Sequence, residues 1–215
     1  MTTEAPDLHA DPRRAALLDA AASLFFERGY AATSIDAIIE RAGGSKRTIY
    51  AMFGSKEGLF EALIRENTER MFSAELFGGQ ARPLEAALSG FAVHLLDLFT
   101  RPRTIALFRL VVAEAGRMPE LAESFHRLGP LRGRHWLARV LERAQTEGEI
   151  RVADPQLLAG QFLGLVRSDA YFEIVLGLRG PLEPGEIESM AEAAVSTFLE
   201  GQRPARRVNA PDEEI

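Results

Sequence analysis

The feature that most restricts the fold of this chain is residues 33–60, TSIDAIIERAGGSKRTIYAMFGSKEGLF, which place three helix starts and a double-glycine turn within one short stretch. Ser34 is positioned to cap a helix whose apolar residues Ile35, Ile38, Ile39 and Ala42 recur at helical spacing, with Asp36 suited to the positive helix start. Gly43 and Gly44 stop that helix. Ser45 caps a second, residues 46–53, anchored by Ile49, Met52 and Phe53; Gly54 closes it, and Ser55 caps a third beginning at Lys56. The pattern is that of a helix-turn-helix over residues 34–53.

Helix pairs of this kind also occur in proteins that never meet DNA, so the decision rests on the placement of cations. A recognition helix presents its N-terminal residues to base edges in the major groove, and here those residues are Lys46, Arg47 and Thr48. From Ser45 to Lys56 there are cations and no acid, and Lys56 stands at a helix N-terminus, where backbone N–H groups also receive anions. All but two of the 25 basic residues in the chain are Arg; the two lysines are Lys46 and Lys56. A compact lysine charge suits phosphate.

Net charge is −6, which by itself argues against nucleic acid, but its distribution does not. Residues 12–60 carry seven basic and five acidic side chains, so the acidic excess lies elsewhere and opposes indiscriminate sticking to DNA.

Residues 14–64 resemble the DNA-binding domain of the TetR family of bacterial transcriptional regulators, matching in order A-x-x-L-F, G-Y-x-x-T-S, A-G-x-S-x-x-T-x-Y-x-x-F and S-K-E-x-L. The resemblance implies an all-α homodimer whose first three helices bind double-stranded operator DNA and whose remaining helices bind a small-molecule effector. It also implies that Thr33, Lys46, Thr48, Tyr50 and Lys56 face DNA, with Tyr50 and Lys56 on phosphates; Ser45, the cap of the second helix, and Arg47, in its first turn, complete the expected DNA-binding set. Three positions depart from the family pattern. Gly44 stands where Val is usual, removing an apolar anchor from the turn; Arg47 stands where Gly is common, adding a cation at the groove. Met52 replaces a frequent His, removing a phosphate contact. Further along, FRLVVAEAGRMPELAESFHRLGP, residues 108–130, resembles the effector domain of the AefR-like branch.

The expected organisation is a disordered arm (1–11), the DNA-binding domain (12–60), a helical effector-binding and dimerisation domain (61–202) and a disordered tail (203–215). Asp11 and Pro12 open a first helix with a stripe at Leu17, Ala21, Leu24 and Phe25, ending at Gly29. The helix that starts after Ser55 is expected to run to about Phe72 or Phe77 and to link the two domains, so that its tilt couples them. Beyond it, Pro83 opens a helix with Leu84, Leu88, Phe91, Leu95, Leu98 and Phe99 on one face, and Gly or Pro delimit three more at 103–116, 119–129 and 131–148. Two long helices follow. The first starts at Asp154, with Ala159, Phe162, Leu163, Val166, Ala170 and Ile174 on one side and Gly160 and Gly164 allowing close approach; the second runs from Ile187 to Gly201 with Phe198 on its apolar face. The resemblance makes these two the dimer interface, although their apolar faces equally fit an intramolecular core.

There is no cysteine, no G-x-S-x-G, P-loop or G-x-G-x-x-G motif, and His9, His94, His126 and His135 lack metal-ligand spacing, so neither an enzyme nor a metal or cofactor site is expected. The absence of a signal-peptide core or a membrane-length apolar run predicts a cytoplasmic protein. His94, Arg109, Trp136 and Asp169 are polar or amphipathic groups beside apolar faces and are the candidates for lining an effector pocket. The competing reading is a helical small-molecule binding protein or degenerate enzyme with a merely structural helix-turn-helix.

Overall fold

The computed structural model describes residues 11–69 and 82–202, and every regular element among them is a helix. The first four are α1 (Pro12–Arg28), α2 (Ile35–Ala42), α3 (Lys46–Phe53) and α4 (Lys56–Glu69). They are followed by α5 (Leu84–Thr100), α6 (Pro102–Glu114), α7 (Pro119–Leu128), α8 (Pro130–Thr146), α9 (Pro155–Leu176) and α10 (Pro184–Gln202). Most of the expected arm, the whole tail and the C-terminal end of the linking helix lie outside the described residues. Among the described residues no helix is long and apolar enough to cross a membrane.

Local chemistry sets the helix ends. Asp11 accepts from the Arg13 N–H, Ser34 from the Ala37 N–H, Ser45 from the Thr48 N–H and Asp154 from the Gln156 N–H, each satisfying an amide that has no partner inside its helix. Pro begins α1, α6, α7, α8 and α9 within their first turns, where its missing N–H costs nothing. Gly43 and Gly44 both take positive φ, 77° and 108°, so the turn between α2 and α3 bends through two positions that Val would strain. The space left by the missing Gly44 side chain is occupied by the Arg13 guanidinium, 3.2 Å from where a Cβ would stand.

Two buried clusters hold the chain together. In one, Leu17, Leu24 and Phe25 of α1 close over Ile38, Ile49, Leu59 and Phe60, with Phe25, Tyr30 and Phe60 packed ring against ring at 5.1–6.3 Å. Ile38 rather than Ile35 or Ile39 is the fully buried anchor of α2. This cluster continues onto Leu107, Leu110 and Val111 of α6 and Leu121 and Leu128 of α7, and the 60/61 boundary expected from sequence falls inside α4. The second cluster joins α5, α8, α9 and α10, with α9 along α8 and α10 along α5.

Here the intramolecular reading of the two long helices holds. Ala159, Phe162, Leu163, Val166 and Ile174 are buried within the chain, and Phe198 is 3% exposed against Phe162, whose ring centroid is 5.1 Å away. Outside this core α9 exposes Leu157 and Leu165 before Ser168 and Phe172 and Leu176 after it, and a Cβ at Gly160 or Gly164 would meet no atom of the described residues within 4 Å beyond its own helix. Near its middle α9 bends at Ser168, whose φ is 46°.

Candidate nucleic-acid interface and cavity

The second helix of the helix-turn-helix, α3, is held by its buried Ile49 and leaves its outer side free. Arg47 is exposed and Tyr50 is 52% exposed, both on the side away from the core. Thr48 sits at a junction: its N–H is capped by Ser45, its hydroxyl lies 3.0 Å from the Ser45 hydroxyl, and Arg13 Nη2 donates to the same oxygen at 3.2 Å. Arg14, one residue on, stacks its guanidinium over the Phe53 ring at 5.8 Å. Arg13 and Arg14 at the start of α1 therefore flank α3, an arrangement no local pattern announces because the contact to Thr48 spans 35 positions.

Lys46 is not a bare cation. Its ammonium pairs with Asp36 of α2 at 2.9 Å, and that hydrogen bond raises its pKa. The pair is well exposed on both sides, so water and salt screen it and a phosphate can compete for the lysine.

Lys56 does more than stand at a helix start. Its ammonium donates to the carbonyl oxygens of Tyr30 at 2.8 Å and Thr33 at 2.9 Å while lying 4.3 Å from the centre of the Tyr30 ring. It closes the loop between α1 and α2 with two of its three N–H donors. Burial lowers its pKa, against the opposing charges of Glu57 and Glu114. Glu57 is held below the usual carboxylate range by its own backbone N–H at the start of α4 and then by the Ser55 hydroxyl.

Thr33 does not belong on the DNA face. It is 2% exposed, and its hydroxyl lies within hydrogen-bonding distance of the carbonyl oxygens of Gly29, at 2.8 Å, and Leu24, at 3.1 Å. The neighbouring Ser34 is the exposed hydroxyl at this helix start. From the other side of the loop, Glu114 at the end of α6 is 8% exposed; its Oε1 accepts from the Ala31 N–H at 3.4 Å and lies 3.1 Å from where a Cβ on Gly29 would stand.

A cavity of about 50 Å³ lies between α4, α5, α6, α7, α8 and α9. Leu95, Leu98, Phe99, Leu107, Phe125 and Leu163 give it apolar walls, with Asn67, Thr68, Thr104 and Arg167 as its polar members. None of the four residues expected from sequence lines it. Arg109 caps the far end of α9, donating to the carbonyls of Val175 at 2.7 Å and Ile174 at 2.9 Å. Trp136 stacks on Phe91 at 5.1 Å, Asp169 is exposed and His94 is half-buried away from the cavity lining.

The capped α2–turn–α3 unit, with cations around the start of α3, is a helix-turn-helix set on a larger helical body that holds an apolar cavity behind α4. Two family descriptions match. Residues 17–63 match "Bacterial regulatory proteins, tetR family", and residues 86–201 match "AefR-like transcriptional repressor, C-terminal domain". The chain belongs to the TetR family. It is 36% identical over 96 residues to the HTH-type transcriptional repressor ComR of Escherichia coli K12, covering 43% of this chain and 45% of ComR. It is 31% identical over 137 residues to the A-factor receptor protein of Streptomyces griseus, covering 62% of this chain and 45% of that protein. The chain thus spans less than half the length of these curated relatives. Among solved structures, the Flavonoid-responsive Regulator FrrA superposes with a TM-score of 0.72 at 38% identity, covering 90% of this chain and 98% of FrrA. A TetR-family regulator from Mesorhizobium loti MAFF303099 gives 0.74 at 26% identity, over 94% of this chain and 100% of its own.

Proposed function

We propose that this chain is a cytoplasmic, homodimeric repressor that grips double-stranded operator DNA with α3 and its flanks and is released by a small-molecule effector bound in the cavity. Ser45, Lys46, Arg47, Thr48, Tyr50 and Lys56 form the DNA-facing set, joined by Arg13 and Ser34. The repressor sign is supported by the C-terminal family description and by ComR, and responsiveness to a small molecule by the name of FrrA.

The observation that carries this reading is the double role of α4. Its first residue, Lys56, holds the Tyr30 and Thr33 carbonyls, while Ile64, Asn67 and Thr68 further along the same helix line the cavity. A helix moves nearly as a rigid body, so a ligand that widens the cavity shifts the loop on which the reading head rests. Dimerisation is supported by the exposed row Leu157, Leu165, Phe172 and Leu176 on α9, and by the bare glycines Gly160 and Gly164, where a second helix can approach.

The test begins with selection of bound fragments from genomic DNA, followed by titration of the recovered operator and of random DNA at several salt concentrations. A sequence preference that survives rising salt supports the reading; equal and weak binding to all DNA would leave the helix-turn-helix merely structural. An effector must weaken operator affinity by the same factor by which operator weakens effector affinity.

A further inference from the structure

Three segments of the chain meet at one guanidinium: the start of α1 supplies Arg13, the turn supplies the bare backbone of Gly44, and the first turn of α3 supplies Thr48. We propose that Arg13 is a positioning residue for DNA recognition, fixing the Thr48 hydroxyl from the space that Gly44 leaves; this rests on the DNA-binding reading above and has Arg13 act through Thr48 rather than on a phosphate.

The hydroxyl has something to be fixed against. A threonine in a helix divides between two χ1 wells, because its oxygen can also turn back to a carbonyl of the preceding turn. Here Thr48 Oγ1 lies 3.2 Å from Arg13 Nη2 and 3.0 Å from Ser45 Oγ, two partners that only one orientation satisfies together.

Donor and acceptor roles then follow. A guanidinium has donors only, so Thr48 Oγ1 accepts from Arg13. Ser45 Oγ accepts from the Thr48 N–H at 3.2 Å. Of the two hydroxyl protons, one bridges the pair and the other is left for an outside acceptor, whichever way the bridge runs. Phosphate oxygens and the acceptor edges of bases are such acceptors. A hydroxyl already held in place spares DNA the cost of ordering it.

Arg13 is itself well held. Its N–H donates to Asp11 Oδ1 at 2.9 Å, and the Ala15 N–H donates to the Asp11 carbonyl at 3.1 Å, so its backbone is set by the cap of α1. Its Nη2, Nε and Cζ lie 3.2, 3.9 and 4.0 Å from where a Gly44 Cβ would stand, and the φ of 108° at Gly44 disfavours any side chain there. With Arg14 over Phe53 at the far end, α1 grips α3 at both ends.

The experiment uses the full chain, the operator recovered from genomic DNA, and random DNA of the same length. Arg13→Met keeps an unbranched stem without a donor. It is expected to weaken operator binding about three- to tenfold per half-site, the scale of one hydrogen bond, with the salt slope unchanged. Thr48→Val should lose a similar amount, and adding Arg13→Met to it should lose almost nothing more. In the DNA-free protein, the three-bond coupling to the Thr48 γ-methyl carbon should report one χ1 well in wild type and averaging in Arg13→Met. Should Arg13→Met melt early, Arg13→Gln, polar but too short for the same reach, takes its place with the same expectations. Additive losses with a salt slope lowered by about 1 per subunit would make Arg13 a phosphate contact and overturn the proposal. So would a Thr48 χ1 that stays fixed without Arg13. A wild-type chain with no preference for operator over random DNA would sink the DNA-binding reading and the recognition role of Arg13 with it; the coupling, read without DNA, still decides whether Arg13 holds Thr48.

Discussion

Lys56 and Tyr30 are joined twice, by a 2.8 Å hydrogen bond from the ammonium to the Tyr30 carbonyl and by the ring beneath that ammonium at 4.3 Å. With the bond to the Thr33 carbonyl, this makes Lys56 a brace for the loop between α1 and α2 as well as a cation at a helix start. Lys56→Ala should therefore lower stability by about 2 kcal/mol, the scale of charge-assisted bonds at a half-exposed site. It should also weaken all DNA sequences alike. Thermal denaturation with parallel operator and random-DNA titrations checks both; a variant with unchanged melting would show that the brace carries no load.

Arg47 is exposed on α3, so Arg47→Ala is expected to leave melting unchanged. On operator DNA it should cost roughly 1–3 kcal/mol per half-site and relax preference at one base position, as for a guanidinium on a guanine edge. Uniform loss over all sequences with a shallower salt dependence would make it a phosphate contact instead.

The two faces of α9 and α10 separate dimerisation from folding. Leu165 is 40% exposed and Phe198 is 3% exposed. Leu165→Glu should give helical monomers by sedimentation, because a two-fold contact would bury two unpaired carboxylates together. Phe198→Glu should instead unfold the chain, losing at least about 3–5 kcal/mol from the removed ring before the buried charge is counted. A Leu165→Glu protein that stays dimeric would move the interface off this face.

Tyr171 provides a pH test. Its buried phenol is pushed up to about 12 from an ordinary value of 10.0, so the folded state keeps the proton that the unfolded chain gives up. That contribution to stability is fully present below the unfolded value and is lost as pH rises through the folded one. Absorbance at 295 nm should show late phenolate ionisation that Tyr171→Phe diminishes without abolishing, because burial also pushes the Tyr30 phenol up; ionisation of Tyr171 near 10 would contradict its burial.

The helix-turn-helix was legible because its determinants are local. Ser34, Ser45, Gly43 and Gly54 act within a few residues of themselves, so the sequence spacing is also the spatial one. Thr33 and Ser34 show the limit: both are small hydroxyl residues at a helix start, and only the position of the Gly29 carbonyl decides that Thr33 turns inward. The cavity was not legible for the same reason on a larger scale. Arg109 and Arg167 both sit amid apolar residues in the sequence. One is taken up by carbonyls 65 and 66 positions away and the other is left beside Phe99. Likewise the period of α9 and α10 marks an apolar stripe but cannot say whether its neighbour is the same chain or a second one.

The Glu114 carboxylate bears on how freely such proteins can be recombined. It comes from α6, yet its partner is the Ala31 N–H and its clearance is set by the missing side chain of Gly29. A chimaera that grafts residues 12–60 onto another regulator's body would leave that amide without its acceptor unless the new body brought a carboxylate to the same place. A body that did bring one would have to shift it slightly for a head with a larger residue at position 29, whose Cβ would stand 3.1 Å from the carboxylate and whose φ of 85° already disfavours a side chain. Head and body are thus a matched pair, and successful domain exchange should track these two positions more closely than overall sequence identity.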